Sequence, residues 1–328
     1  MIKEELLRKI QKDLENHINH LDLRGEPKEL YEPITYLMQL GGKRIRPLLT
    51  LLSYKLYQED YESILNPAAA VEVFHNFTLV HDDIMDKAPI RRGKATIHEK
   101  WDANTAILSG DVMLVKAYEM LLEIPGEKLA PCLKLFSKTA AEVCEGQQLD
   151  MNFENSASVS EVAYLNMIRL KTAVLLGFSL QLGSVLAGAE PGETIKLYNF
   201  GVNIGIGFQL KDDLLDVYAD KSLFGKQVGG DIISNKKTYL LIKALEIAKG
   251  DTKASLYKWL ERKDFQPDEK VKAVTGLYNQ LDIRNQTTKI MTAYFEKGFD
   301  QLAALKVKNA ESLQILWNFT HHLVNREK

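Results

Sequence analysis

The chain has 328 residues, 45% of them hydrophobic, with 42 Lys and Arg against 44 Asp and Glu and a formal net charge of −2. That is enough apolar material for one large core, and the near-neutral balance removes the electrostatic case for nucleic acid as a partner. No run approaches the roughly 18 apolar residues of a membrane span, and the first residues, MIKEELLRKIQKDLEN, read as a charged amphipathic helix without a secretory core.

In chain order the apolar period is helical almost throughout. Ile2, Leu6, Ile10, Leu14 and Ile18 form a first stripe, broken at Gly25 and Pro27. A second helix is predicted from about Leu30 to Leu40, stopped by Gly41-Gly42. Asn66-Pro67 reads as an N-cap with a first-turn proline, opening a helix that Pro89 closes. Ile107, Leu108, Val112, Val115, Tyr118 and Leu122 suggest the apolar face of a third long helix, ended by Pro125-Gly126. Ser158 and Glu161 have capping-box spacing ahead of an apolar stretch reaching Leu186. From Tyr198 a further helix is expected, then a glycine loop over Ser222 to Asn235, a helix beginning at Pro267, and a last apolar face of Leu313, Leu316, Trp317 and Leu323. No alternating strand, linker or short repeat stands out. Cys132 and Cys144 lack metal-knuckle spacing and are expected as buried free thiols in a reduced, cytoplasmic protein. The expectation is one all-α domain over residues 1–328, a helical bundle with its site in a central cavity.

The chemistry gathers in FHNFTLVHDDIMDKAPIRRG, Phe74 to Gly93. Asp82 and Asp86 are four apart, so on a helix they share a face with Cβ atoms about 5–6 Å apart. With Asp83 beside them, three carboxylates suit either water or a divalent cation, and Mg²⁺ is usually held by one or two carboxylates together with substrate phosphates. One such motif would equally suit a solvated helix end. The pattern recurs in FQLKDDLLD, with Asp212, Asp213 and Asp216, which predicts two helices facing each other across one polyanion. Lys43 and Arg46 in GGKRIRP, Arg91 and Arg92 after the first aspartates, and Lys226, Lys236 and Lys237 around the glycine loop would supply cations. Lys171-Thr172 lies among leucines and valine, where an unpaired lysine would be costly to bury.

The ordered set GGKRIRP, DDIMD with RRG, GQQLD, KT, FQLKDDLLD and GK…DIISNKK resembles the trans-isoprenyl diphosphate synthases, or polyprenyl synthetases, from about Leu40 to Tyr239. The resemblance implies that Asp82, Asp86 and Asp212 ligate several magnesium ions, with manganese as a substitute, on an allylic diphosphate. Asp83, Asp213, Asp216, Gln147 and Asp150 would stand close behind. Arg91, Lys171 and Lys226 would bind the allylic diphosphate, with Lys236 assisting from the loop. Lys43, Arg46, His75 and Arg92 would hold isopentenyl diphosphate, and Thr172 and Gln209 would be the neutral dipoles nearest the reacting carbons. A homodimer is implied by the resemblance alone. Breaking an allylic C–O bond separates a carbocation from pyrophosphate, so the leaving group needs neutralising by metal and fixed cations, and water must be excluded.

Three other readings compete: a class I terpene cyclase, a histidine-aspartate phosphohydrolase and a non-catalytic subunit of a heteromeric synthase. The intact DDLLD argues against the first and third, and the lack of further histidine ligands against the second. For product length, Thr78 and Phe77 lie about 6 and 7.5 Å below Asp82 along a helix axis and would form the floor under the growing chain. In the family, one aromatic at the fifth position before a compact DDxxD goes with geranylgeranyl products, so C20 is expected, with C15 the near alternative.

Overall fold

The computed structural model describes residues 2–219 and 229–325. Helix α1 (Ile2–Asn19) buries Ile10, Leu14 and Ile18, the stripe expected of it. After α2 (Lys28–Gln39), the Gly41–Arg44 loop leads into α3 (Ile45–Lys55), with left-handed backbone at Gly41 (φ 71°) and Arg44 (φ 47°). A 3₁₀ turn precedes α4 (Leu65–Met85), so Asn66 is already helical and is not the cap. Its Nδ2 instead donates to Glu123 at 2.6 Å.

Among the described residues strands, absent from the sequence expectation, occur as one two-residue pair. β1 (Ile90–Arg91) and β2 (Lys94–Ala95) form a hairpin whose turn residues, Arg92 (φ 52°) and Gly93 (φ 75°), are both left-handed. Two central residues at positive φ match the right-handed strand twist, which is why this tightest of hairpins tolerates an arginine there. The RRG sequence is therefore the end of β1 and the hairpin tip, beyond the helix that Pro89 was expected to close.

Next come α5 (Ile97–Lys100) and α6 (Ala103–Leu121), the latter capped by Asp102, which accepts from the Thr105 amide at 2.9 Å. The apolar face expected of α6 is largely its outward one. Ile107, Leu108, Val115 and Leu122 are exposed, whereas Ala106, Ser109, Gly110, Met113 and Ala117 are buried. The cause is close approach to α4: a Cβ at Gly110 would collide with the His81 ring, so the buried side is made of small residues.

The chain continues through α7 (Gly126–Glu154) and α8 (Glu161–Ile168), whose cap is Ser160 accepting from Ala163 at 3.2 Å, not Ser158. A π-helical turn over Arg169–Ala173 passes into α9 (Val174–Leu186), followed by α10 (Pro191–Tyr218). Beyond residue 228 lie α11 (Gly230–Ile233), α12 (Tyr239–Ile247), α13 (Gly250–Glu261), α14 (Pro267–Gln280), α15 (Ile283–Ala303) and α16 (Ala310–Asn325). Cys132 is buried as expected, but Cys144 is exposed. No helix among the described residues is long and apolar enough to cross a membrane.

The fold is all-α, and its backbone divides into two compact units. The first takes the chain to Thr139, then Phe178–Tyr198 and Leu305–Thr320. Its core holds an aromatic group in which Phe136 meets Phe74 edge-on at 5.0 Å and Phe178 at 5.7 Å, all three fully buried. The second takes Ala140–Gly177, Asn199–Ala304 and the chain from His321. It packs Leu214, Leu240, Leu241 and Ile283 in one cluster, and Tyr164, Ile206, Leu210 and Tyr239 in another.

Candidate active site

The first unit holds the first aspartate motif, the GGKRIRP loop and the hairpin arginines. At the end of α4, Asp82 is half-buried and Asp86 exposed, one turn apart, while Asp83 is turned inward at 3% exposure. Asp83 is taken by Arg91, whose Nε donates to its two oxygens at 2.9 and 2.8 Å and whose Nη2 donates at 2.6 Å. Such a fork fixes the hairpin to α4 and leaves Arg91 with part of its guanidinium for any further anion.

Behind this lies a cluster of cations. Arg46, in the first turn of α3, donates from Nη1 to His75 Nε2 at 3.0 Å. Since arginine only donates, His75 must be neutral with its proton on Nδ1. Burial, with the Arg46, Arg92 and Arg91 charges, holds the His75 pKa well below its usual value. Arg46 is pulled down to about 10, chiefly by burial. Its Nε is buried without a hydrogen-bond partner, an arrangement that costs free energy until an acceptor arrives. Arg92, at the hairpin tip, donates to the Gly41 carbonyl. Lys43 is exposed and lines an open pocket of about 300 Å³ with Lys12, Glu15 and Arg44. Phe77 is buried between Phe74 and His81, with ring centroids 5.5 and 4.8 Å away, and Thr78 is half-buried with its hydroxyl donating to the His75 carbonyl at 2.7 Å.

The second unit holds the KT pair and the second aspartate motif. Lys171 and Thr172 sit in the π-helical turn, a distortion that recurs at functional sites. Helix α7 comes so close here that a Cβ at Gly146 would collide with the Lys171 backbone nitrogen. That approach brings Asp150 to Lys171 Nζ at 2.6 Å, so the lysine is paired. Gln147 is buried on the same helix. Thr172 Oγ1 donates to Gln209 Oε1 at 3.3 Å, and Gln209 Nε2 donates to Asp213 Oδ1 at 3.3 Å. Asp213 is 3% exposed and its Oδ2 also accepts from the Tyr164 hydroxyl. Burial pushes its carboxyl up to about 6, against the lowering effect of these donors. Asp212 is exposed, and Asp216 Oδ2 accepts from the Asp231 amide at 3.0 Å, tying α10 to α11. Lys236 is exposed between α11 and α12, whereas Lys226 lies outside the described residues.

Three residues were not singled out from the sequence. Tyr164 is the phenol on Asp213, and a buried polar ring in an apolar helix face carries no local signal of its partner. Asp231, raised to about 6 mainly by burial, lies within DIISNKK and could have been noticed there. Arg44, inside GGKRIRP between Lys43 and Arg46, is almost fully buried, and nothing local in the motif distinguishes it from those two.

Among the described residues no three His, Cys, Asp or Glu side chains converge on a preformed metal cage. Exposed or half-buried carboxylates one turn apart, as at Asp82 and Asp86, fit instead a hard cation that takes its remaining oxygens from substrate and water. An all-α chain combining such carboxylates with a half-buried arginine whose Nε lacks an acceptor suits a class of helical enzymes acting on diphosphate esters. The chain matches the polyprenyl synthetase family over residues 27–278 and belongs to that family. It is 40% identical over 283 residues to a short chain isoprenyl diphosphate synthase of Methanocaldococcus jannaschii, covering 86% of this chain and 84% of that one. It is 41% identical over 305 residues to a geranylgeranyl diphosphate synthase of Saccharolobus solfataricus, covering 92% and 91%. A crystal structure of a geranylgeranyl pyrophosphate synthase superposes with a TM-score of 0.90 at 42% identity, covering 99% of each chain. The protein is thus a prenyl transferase, and these matches favour none of the cyclase, phosphohydrolase or non-catalytic readings.

Proposed function

We propose that the protein condenses an allylic diphosphate with isopentenyl diphosphate, releasing pyrophosphate and extending the chain to geranylgeranyl diphosphate, and that residues 1–328 act as one polyprenyl synthetase domain. The observation that carries the reading is the part-buried Arg46–His75 pair, a cation facing a neutral imidazole with the buried Arg46 Nε left without an acceptor. Such a site gains from a bound anion. Lys43, Arg46, His75 and Arg92 hold the diphosphate of isopentenyl diphosphate in this reading. Asp82, Asp86 and Asp212 would hold magnesium, which would supply charge neutralisation of the leaving pyrophosphate. Arg91 and Lys171, each already oriented by a carboxylate, face the allylic diphosphate, with Lys226 and Lys236 assisting. Thr172 and Gln209 present fixed neutral dipoles, their orientation set by Asp213. Water exclusion protects the allylic cation, and the departing pyrophosphate accepts the proton lost at the end.

The C20 product is supported by relatives that carry that name and by threonine at position 78 above the buried Phe77. Incubation with labelled isopentenyl diphosphate, farnesyl or geranyl diphosphate and Mg²⁺ should yield a C20 alcohol after dephosphorylation, identified by mass spectrometry. A product that stops at C15 would overturn the length assignment, and no condensation with any allylic primer would overturn the reaction.

The same reading places the protein in the cytoplasm as a homodimer. Leu108 and Val115 on α6 and Leu122 at its C-cap, spaced seven apart, are 57, 55 and 56% exposed, an apolar row of the kind that marks association. Val115→Glu should convert a dimer to a monomer in sedimentation velocity; a wild-type monomer at micromolar concentration would remove this part of the proposal.

A further inference from the structure

Two contacts join the start of α3 to one face of α4. Glu72 and His75 are three apart on α4 and so neighbours on its surface, while Arg44 and Arg46 flank the first residue of α3. Arg46 reaches His75 at 3.0 Å, and Arg44 Nη1 reaches Glu72 Oε1 at 2.8 Å. These contacts differ in kind. Arg46–His75 has a buried donor left over, whereas Arg44–Glu72 joins opposite charges whose side chains are 5% and 3% exposed.

Arg44 has further fixed contacts. Its Nη2 donates to the Met38 carbonyl in the last turn of α2 at 2.8 Å, and its Nε to Glu15 of α1 at 3.4 Å. Glu72 is held in turn by Asn76, whose Nδ2 donates to Glu72 Oε1 at 3.3 Å and to the Glu72 carbonyl at 2.8 Å. Arg44 also sits at φ 47°, a left-handed conformation that a residue other than glycine keeps only where its surroundings hold it there. At the other end of the same loop, Arg92 donates to the Gly41 carbonyl.

We propose that Arg44 and Glu72 are positioning residues for the isopentenyl diphosphate site. Their buried ion pair clamps the Gly41–Arg44 loop onto α4 and thereby sets where Lys43, Arg46 and Arg92 meet the diphosphate. The clamp completes its own charge balance, so the neighbouring Arg46–His75 contact can stay open for the substrate's oxygens. This rests on the reading of Arg46 and His75 given above.

Arg44→Gly separates the clamp from the fold, because glycine accepts the left-handed backbone while losing all three guanidinium contacts. The variant should keep wild-type helicity by circular dichroism. Its KM for isopentenyl diphosphate should rise by about tenfold or more, with the KM for the allylic substrate and kcat within about twofold. Millimolar guanidinium chloride should recover part of the lost affinity. Glu72→Gln, which keeps the side-chain shape, should give the same split between substrates and carries the test if Arg44→Gly does not fold. Equal changes for both substrates, or a lowered melting temperature with kinetics intact, would mean a purely structural pair and overturn the clamp. Arg46→Ala is the control. If it raises the KM for isopentenyl diphosphate while the Arg44 and Glu72 variants do not, the clamp alone is wrong. If it leaves that KM unchanged, the substrate site itself is misplaced and the clamp falls with it.

Discussion

The two aspartate motifs share one spacing, yet their central residues are held in opposite ways. Asp83 on α4 is gripped by the Arg91 fork, charge against charge. Asp213 on α10 is surrounded by neutral donors, the Tyr164 hydroxyl, the Gln209 amide and the Tyr239 backbone N–H, and burial raises it to about 6. The difference extends beyond the motifs. In the first unit cations are crowded and one is incompletely satisfied, which favours capture of an anion. In the second, Lys171 is already paired and Thr172, Gln209 and Asp213 satisfy one another in series. A chain of that kind fixes the direction of dipoles. The same DDxxD letters thus stand beside crowded cations in one unit and beside fixed neutral dipoles in the other.

The largest expected effect falls on the outer carboxylates, which both motifs would use alike. Asp82→Asn, Asp86→Asn and Asp212→Asn should each lower kcat by roughly 10²–10³-fold with helicity unchanged, since an amide is a poor ligand for magnesium. Steady-state rates with excess Mg²⁺ and circular dichroism check this, and near-normal turnover in any one removes that residue from the metal set.

The next effect tests the division of labour. Arg46→Ala should raise the KM for isopentenyl diphosphate by about tenfold or more and leave the allylic KM nearly unchanged, and Lys171→Ala should do the reverse. If both variants weaken both substrates equally, the contrast between capture and orientation is not a contrast between substrates.

Product length sharpens the picture on the α4 side. Thr78→Phe should shift the main alcohol from C20 toward C15, and Phe77→Ala toward products longer than C20. The second change also removes a buried ring at a cost of about 3–5 kcal/mol, so product distribution should be read at a temperature where the fold is intact. A distribution unmoved by either substitution would make Phe77 core and nothing more.

The smallest effect is electrostatic. His75 is neutral in the folded chain, with its folded pKa depressed below the unfolded value of about 6.5. Its contribution to stability is therefore complete above that pH and is lost as pH falls below it, because the unfolded chain takes up the proton first. The loss should be at most about 1.4 kcal/mol per pH unit until the folded pKa is reached. Urea denaturation at pH 7.5, 6.5 and 5.5 should show this slope as the difference between the wild type and His75→Gln, because Asp213 and Asp231, both raised to about 6, add a slope of opposite sign to the two proteins alike. Saturating pyrophosphate should flatten it, since a neighbouring anion favours the imidazolium.

Much of the protein was written in local order along the chain. Helical periodicity is a short-range property, so the all-α fold, the helix beginning at Pro267 and the first buried stripe of Ile10, Leu14 and Ile18 follow from residues a few positions apart. The motif order likewise named the family, and spacing alone put Asp82 and Asp86 one turn apart. Tertiary structure decided what spacing could not. Large apolar residues on α6 predict an inward face, but contact with α4 at His81 demands small residues there, so the helix is turned the other way. Whether a caging donor or a neutral one stands beside the central aspartate depends on Arg91 returning through a hairpin in one case. In the other it depends on Tyr164 arriving from 49 positions earlier in the chain. The π-helical turn that carries Lys171 and Thr172 and the left-handed backbone of Arg44 are set by neighbours packed from other helices. A one-dimensional pattern records which side chains a helix offers, and only packing determines which of them meet.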